Sequence, residues 1–266
     1  MKKLLAQGIT LILLFIILWF CLSKIDWINI FKVQKVANTT EQKLGEIFWN
    51  TIKNSEKENK NIHVINSIDS IVTKVCKLNN IDREEIKIHL LNKDEINAFA
   101  LPDGHLVIYS GLILNSDNQE ELTGVICHEI AHIEYNHIMK KLVNEIGLSV
   151  VTSIITGSTK SDNIREILRI LSSSSFDRSL EKEADIKAVD YLIKAKVNPE
   201  AFANFLYKLS TNKQTEKEYL TRVSSHPDSR ERASYIIKYS KNKSIAYEAI
   251  LSIKTWEKLN TELTKR

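Results

Sequence analysis

Cys127-His128-Glu129-Ile130-Ala131-His132 lies inside a longer run from Ser116 to Leu142, and the fold is read outward from it. Ser116 followed by Gln119 reads as a capping box, and Glu120 and Glu121 load the first turn with negative charge. A helix is therefore expected from about Asp117 to about Leu142. Histidines four apart stand one above the other on a helical face, so His128 and His132 can both reach one metal ion. Glu129 is offset to the side, where its carboxylate can reach a water at that metal without binding the metal itself. Val125, Ile126, Ile130, Ala131 and Ile133 make the surroundings apolar, and burying two imidazoles and a carboxylate among them is costly unless they are paired or metal-bound. Cys127 precedes His128 directly, but one helical step turns it about 100° from the histidine face. It reads as core.

A hydrolytic zinc site needs a third protein ligand and an open position for water. The extended pattern with Gly three and His six residues after His132 is absent, since Tyr135 and Ile138 stand there. Val150 to Thr156 offers no carboxylate either. The next candidate is Arg178-Ser179-Leu180-Glu181-Lys182-Glu183-Ala184-Asp185. Glu181 and Asp185 are four apart and share a helical face, so one can bind zinc while the other holds a ligand imidazole from behind. Glu183 is expected to point elsewhere. Alone, this run reads as a solvated acidic helix; beside the histidine pair it reads as part of a site.

The chain has 266 residues, 7 Gly and 3 Pro, which argues against a turn-rich all-β fold, and its long Leu/Ile/Lys/Glu/Asn stretches favour helices. The length suits one medium-sized domain and one active site. The net charge of +4 comes from 37 basic and 33 acidic residues spread evenly, so no nucleic-acid partner is expected. Three cysteines allow at most one disulfide between Cys76 and Cys127 and imply no disulfide framework. Leu4 to Leu22 carries no charge and is long enough to cross a bilayer. No small-x-small cleavage pattern follows it, so it reads as a retained anchor, not a cleaved signal. Lys2 and Lys3 favour a cytoplasmic N-terminus, against the weaker opposing bias of Lys24. The expectation is a single-pass membrane protein with its catalytic domain on the extracytoplasmic, periplasmic side.

The chain divides into an anchor (1–24), a stalk and first helix (25–60), a main domain (61–240) and a helical tail (241–266). Helices are expected over Thr40 to Asn54 and over Asn61 to Asn80, the latter carrying an apolar stripe of Val64, Ile68, Ile71, Val72 and Val75. Strands are expected at Ile86 to Leu91, Ile96 to Leu101 and His105 to Tyr109, with Pro102-Asp103-Gly104 as a turn, giving a small antiparallel sheet. Ile146 to Ile155 is too short to span a bilayer and reads as a lid or core helix. Gly157 to Thr159 and Ser172 to Ser175 read as loop. The fold class is α+β, mainly helical.

Four blocks resemble a known family. They are Asn97-Ala98-Phe99-Ala100-Leu101-Pro102-Asp103-Gly104-His105, the His-Glu-x-x-His helix, Arg178-x-x-Glu181-x-x-Ala184-Asp185, and Ser225-His226-Pro227-Asp228-Ser229-Arg230-Glu231-Arg232. In order and spacing they are similar to family forty-eight of the zinc metallopeptidases, the group of HtpX, BepA and the CAAX prenyl endopeptidases. The resemblance implies a gluzincin-type domain, one zinc ion per chain, Glu181 as third ligand and Asp185 supporting the site. It also implies that His226 approaches the metal or the substrate and that Arg232 helps hold charge there. From the residues alone, His226 reads as a surface-loop residue. The resemblance further implies that the strand after the Asn-Ala-Phe block receives polypeptide substrate as an edge, through Asn97, His105, Leu106, Val107, Ile108 and Tyr109, by β-augmentation. With one anchor, cleavage of prenylated proteins within the membrane is not expected. The implied function is a membrane-anchored zinc metalloendopeptidase of protein quality control, with Glu129 as base and His226 and Arg232 stabilising the oxyanion. The alternative is a membrane-tethered chaperone or assembly factor whose protease site is gated.

Overall fold

The structure is a computed structural model that describes residues 33–173, 176–211, 226, 229–241, 243 and 246–265. The expected anchor lies outside these residues, as do Ser225, Pro227 and Asp228 of the His-Pro block. Among the described residues, no helix is long and apolar enough to cross a membrane. The chain falls into two units, 1–40 and 41–266. Of the first, residues 33–40 are described and form the start of a helix.

The elements are α1 (Val33–Ser55), α2 (Ile62–Asn79), β1 (Lys87–Leu91), β2 (Ala98–Leu101), β3 (His105–Tyr109), α3 (Ser110–Leu114) and α4 (Gln119–Glu134). After them come α5 (His137–Ile146), α6 (Leu148–Ile155), α7 (Ser161–Ser173), α8 (Arg178–Lys194), α9 (Pro199–Thr211), α10 (Ser229–Ser240) and α11 (Ile253–Thr264). The expected stripe on α2 is buried, and the helix is bounded by an Asn61 side chain that accepts from His63 N–H and by Asn80 in the left-handed conformation. Residues 172 and 173, expected as loop, close α7 instead.

The sheet is mixed, which corrects the antiparallel expectation. Its order is β1-β3-β2, with β1 parallel and β2 antiparallel to β3. The physical reason lies in β3, whose run His105-Leu106-Val107-Ile108-Tyr109 is buried throughout. A continuous apolar run marks a strand covered on both faces, and this one takes the centre. It is therefore not the edge strand that the family resemblance implied: its backbone pairs on both sides, and His105 through Tyr109 have no open edge for a peptide. Asn97 precedes β2, its carbonyl accepting from Tyr109 N–H at 3.0 Å and its side chain donating to Ser172 O at 3.3 Å. The β2–β3 turn falls where expected, with Asp103 (φ 63°) and Gly104 (φ 70°) both left-handed.

Two apolar clusters sandwich the sheet. Leu90, Ala98, Leu106 and Ile108 face one built from α2, α4, α8, α9 and α11. Leu91, Phe99, Leu101, Val107 and Tyr109 face another built from α1, α5, α6 and α7. On this second face His89 Nε2 lies 2.8 Å from His105 Nδ1, and Trp49 of α1 stacks on His89 at 3.6 Å between centroids. α11, expected as part of a tail, packs on α2 and buries Leu259 and Leu263. Cys76 and Cys127 are both free and buried, and burial pushes the Cys76 thiol up to about 11.

The expected helix from Asp117 to Leu142 is two helices. Asn118, not Ser116, is the cap of α4, its side chain accepting from Glu121 N–H. Asn136 breaks the run with φ 57°, a left-handed conformation that Asn tolerates better than most residues.

Candidate metal centre

α4 lies at the centre of the helical layer, against α8, α9 and β2. Gly124 lets α9 approach: a Cβ there would stand 2.4 Å from Phe202 Cβ. One helical turn further on, His128, Glu129 and His132 are all buried. α8 crosses α4 and presents Glu181 and Asp185, four apart and on one face as expected, and both buried. His226 completes the group from the segment before α10.

Four donor atoms converge, one each from His128, His132, Glu181 and His226, all within 4.8 Å of one another. His132 Nε2 is 3.1 Å from His128 Nε2, and His226 Nδ1 is 3.2 Å from the same atom. His132 Nε2 is 3.3 Å and His226 Nδ1 is 2.9 Å from Glu181 Oε1. A tetrahedral ion with bonds of about 2.0–2.1 Å spaces its donors by about 3.3–3.4 Å. The donor set therefore fits a metal ion. Three imidazole nitrogens and a carboxylate turned inward on one point are the arrangement a cation holds together, and four buried groups without one would leave lone pairs opposed.

Glu129 stands beside this group and outside it, with Oε1 3.5 Å from His226 Nε2. Asp185 lies behind His128, its Oδ1 2.8 Å from His128 Nδ1. Arg232 clamps the acidic pair: Nε donates to Asp185 Oδ2 at 2.8 Å, Nη2 to Asp185 Oδ1 at 2.7 Å, and Nη1 reaches Glu181 Oε2 at 2.9 Å and His226 O at 3.3 Å. Tyr235 O–H also donates to Asp185. Burial alone would raise the Glu181 carboxyl, but His226 and Arg232 outweigh it and hold the group well below the usual carboxylate range. Asp185 is lowered in the same way, burial being overcome by Arg232 and His128.

Several groups around the site were not singled out in the sequence. His137 is buried, with Nδ1 3.0 Å from His132 Nδ1 and Nε2 3.1 Å from Glu183 Oε2. Glu183, expected to point elsewhere, is turned from the donor cluster and meets this second histidine instead. Phe176 stacks on His132 at 4.1 Å between centroids, and Lys141 Nζ lies 4.2 Å from the Phe176 ring and donates to Leu171 O. Burial lowers the Lys141 amine to about 8. The one signal in the sequence was Asn136-His137, a left-handed-tolerant residue followed by an imidazole. A cleft of about 260 Å³ between α8 and α10 opens beside the cluster, bounded by Ser179, Lys182, Glu231 and Tyr235 and floored by Glu181 and Arg232.

A family model described as peptidase family M48 matches residues 63–240. The chain belongs to peptidase family M48. This is the family that the four sequence blocks resemble. Within M48, the chain is similar to metalloprotease LoiP of Escherichia coli strain K12, 30% identical over 165 residues that cover 59% of this chain and 64% of that one. It is 27% identical over 157 residues to the beta-barrel assembly-enhancing protease of Yersinia pestis, covering 54% of this chain and 32% of that one. The mitochondrial metalloendopeptidase OMA1 of Arabidopsis thaliana is 23% identical over 151 residues, 56% of this chain and 30% of its own length. The chain thus spans between about one third and two thirds of these relatives.

Proposed function

We propose that this M48 chain is a membrane-anchored zinc-dependent endopeptidase, hydrolysing peptide bonds of misfolded or unassembled proteins on the extracytoplasmic side of a membrane. The observation that carries the reading is the convergence of His128 Nε2, His132 Nε2 and the Glu181 carboxylate, with Glu129 buried alongside. His128, His132 and Glu181 would hold one zinc ion per chain, leaving the fourth position to water. Zinc, when bound, supplies Lewis acidity toward a peptide carbonyl and toward water. Glu129 takes the proton of the attacking water on its carboxylate and passes it to the leaving amine. His226, between Glu129 and Glu181, donates a hydrogen bond to the oxyanion as it forms. Arg232, expected to stabilise the oxyanion beside His226, serves by position instead, since its guanidinium is engaged by Asp185 and Glu181. The cleft between α8 and α10 gives a substrate side chain a place beside the donors.

Support for a role in quality control comes from the relatives called beta-barrel assembly-enhancing proteases. The membrane reading rests on Leu4 to Leu22, and its sidedness on Lys2 and Lys3. A second reading is favoured by one observation: His226 Nδ1 sits among the donors, within 3.0 Å of both Glu181 oxygens. In that arrangement His226 occupies the position a substrate needs, and the protein acts chiefly as a tethered chaperone or assembly factor with a gated protease site. The main reading is tested by zinc content and casein digestion of the full chain in detergent, beside its His128→Ala variant. One zinc and digestion in the parent, both lost in the variant, is the expected result; no zinc in the parent sinks the reading.

A further inference from the structure

We propose that His137 and Glu183 form a relay that fixes His132 as a metal ligand, so that both are positioning residues; this rests on the metal reading above. The two imidazoles meet nitrogen to nitrogen, Nδ1 to Nδ1 at 3.0 Å, on the side of His132 away from the donor cluster. His137 Nε2 then meets Glu183 Oε2 at 3.1 Å. Only one proton fits between two such nitrogens, and its owner follows from the rest of the site. His132 must turn a lone pair on Nε2 toward the metal, so its proton is on Nδ1 and is donated to His137 Nδ1. His137 therefore carries its own proton on Nε2 and gives it to the Glu183 carboxylate. The order of donors is fixed from end to end, and with it the tautomer and orientation of the ligand.

The two histidines of the motif are thus held differently. His128 meets its carboxylate directly, and that carboxylate, Asp185, is buried and clamped by Arg232 and Tyr235. His132 reaches its carboxylate through a second imidazole, and Glu183 is 48% exposed. The local cause is the break at Asn136. In an unbroken helix, position 137 would lie about 140° around the axis from His132, on another face. The left-handed Asn136 redirects the chain so that the first residue of α5 returns to the ligand. Tyr135 packs its ring on His137 at 5.6 Å between centroids, and Phe176 covers His132, so the pair is enclosed by aromatic faces.

The test measures zinc affinity of the full chain in detergent by competition with a chromophoric chelator, with His137→Met, His137→Gln and Glu183→Ala beside the parent. The loss of a partner behind a metal ligand weakens binding by about 10- to 100-fold, and that is the expected fall for His137→Met. Glutamine can accept from His132 through its amide oxygen and donate to Glu183 through its amide nitrogen, so His137→Gln should recover most of the affinity. Glu183→Ala should lose less than His137→Met, because water can reach the exposed end of the relay. Cobalt(II) in place of zinc gives a second readout, with ligand-field bands shifted in His137→Met and close to the parent in His137→Gln. Parental affinity and spectrum in His137→Met would overturn the relay, as would equal losses in the Met and Gln variants with both metal-free proteins melting like the parent. If His137→Met does not fold, Glu183→Ala decides: unchanged affinity overturns the relay and a fall supports it. A parent that binds no zinc overturns the metal reading itself, and the relay with it.

Discussion

Arg232 binds Asp185 through two parallel hydrogen bonds, Nε to Oδ2 at 2.8 Å and Nη2 to Oδ1 at 2.7 Å, with both side chains buried. The same guanidinium neutralises Glu181, so one cation serves two buried carboxylates. Breaking a buried pair by removing one partner costs about 3–5 kcal/mol, because the other charge is left uncompensated. Arg232→Met should lower the stability of the metal-free protein by at least that amount, read by urea unfolding. Arg232→Lys should recover little, since an ammonium cannot span both carboxylate oxygens in the same way. A loss below about 1 kcal/mol would contradict the clamp.

Gly124 tests the crossing that sets the donor helix against α9. A methyl group there would meet Phe202 Cβ at 2.4 Å, and the ring beyond it at 2.8 Å. Overpacking of this kind costs about 1–3 kcal/mol. Gly124→Ala is expected to lower the melting temperature of the metal-free protein by several degrees and to weaken zinc binding with it. An unchanged melting temperature would mean that α9 yields freely.

Much of the site was legible because helical spacing is a local property. His128 and His132, and Glu181 and Asp185, each stand four apart, and a fixed rise and turn put each pair on one face whatever the fold around them. Strand order is not local. Leu106 to Ile108 gave the sign of a central strand in its unbroken apolar run, but the family resemblance cast it as an edge, and only the register with β1 shows otherwise. The break at Asn136 was hidden because apolar periodicity continues through Ile138 and Leu142, and a single left-handed residue leaves no mark on the pattern. His137 and Glu183 were hidden with it, since their meeting depends on that break and on the crossing of α8.

The histidine pair on the sheet makes a prediction about acid. Burial, with the neighbouring imidazole and Lys87 and Lys53, lowers His89 to about 3, and burial with Lys87 lowers His105 to about 4. Asp103 and Glu58 lie 4.0 Å from His105 and His89 and oppose this only weakly. The unfolded chain takes up protons on these histidines near their ordinary value of about 6.5, while the fold refuses them. The stability contributed by the neutral pair is therefore complete above about pH 6.5 and is lost as pH falls toward 4. Melting temperature against pH should fall less steeply between 6.5 and 4 in a His89→Phe, His105→Leu double variant than in the parent. Equal slopes would contradict the lowered values.

His226 separates the two functional readings. If its place among the donors is a gate, His226→Ala should raise casein digestion severalfold with zinc still bound by His128, His132 and Glu181. If it chiefly stabilises the oxyanion, the same variant should lose about 10²- to 10³-fold in kcat. Digestion at the parental rate would contradict both roles.

The central claim, that Glu129 is the base of a metal-dependent peptidase, is tested most directly by Glu129→Gln in the full chain, with zinc content and peptide hydrolysis measured on the same sample. Glu129 lies outside the donor cluster, so the account predicts one zinc per chain, as in the parent, and no detectable hydrolysis. Hydrolysis at the parental rate with zinc in place would contradict it.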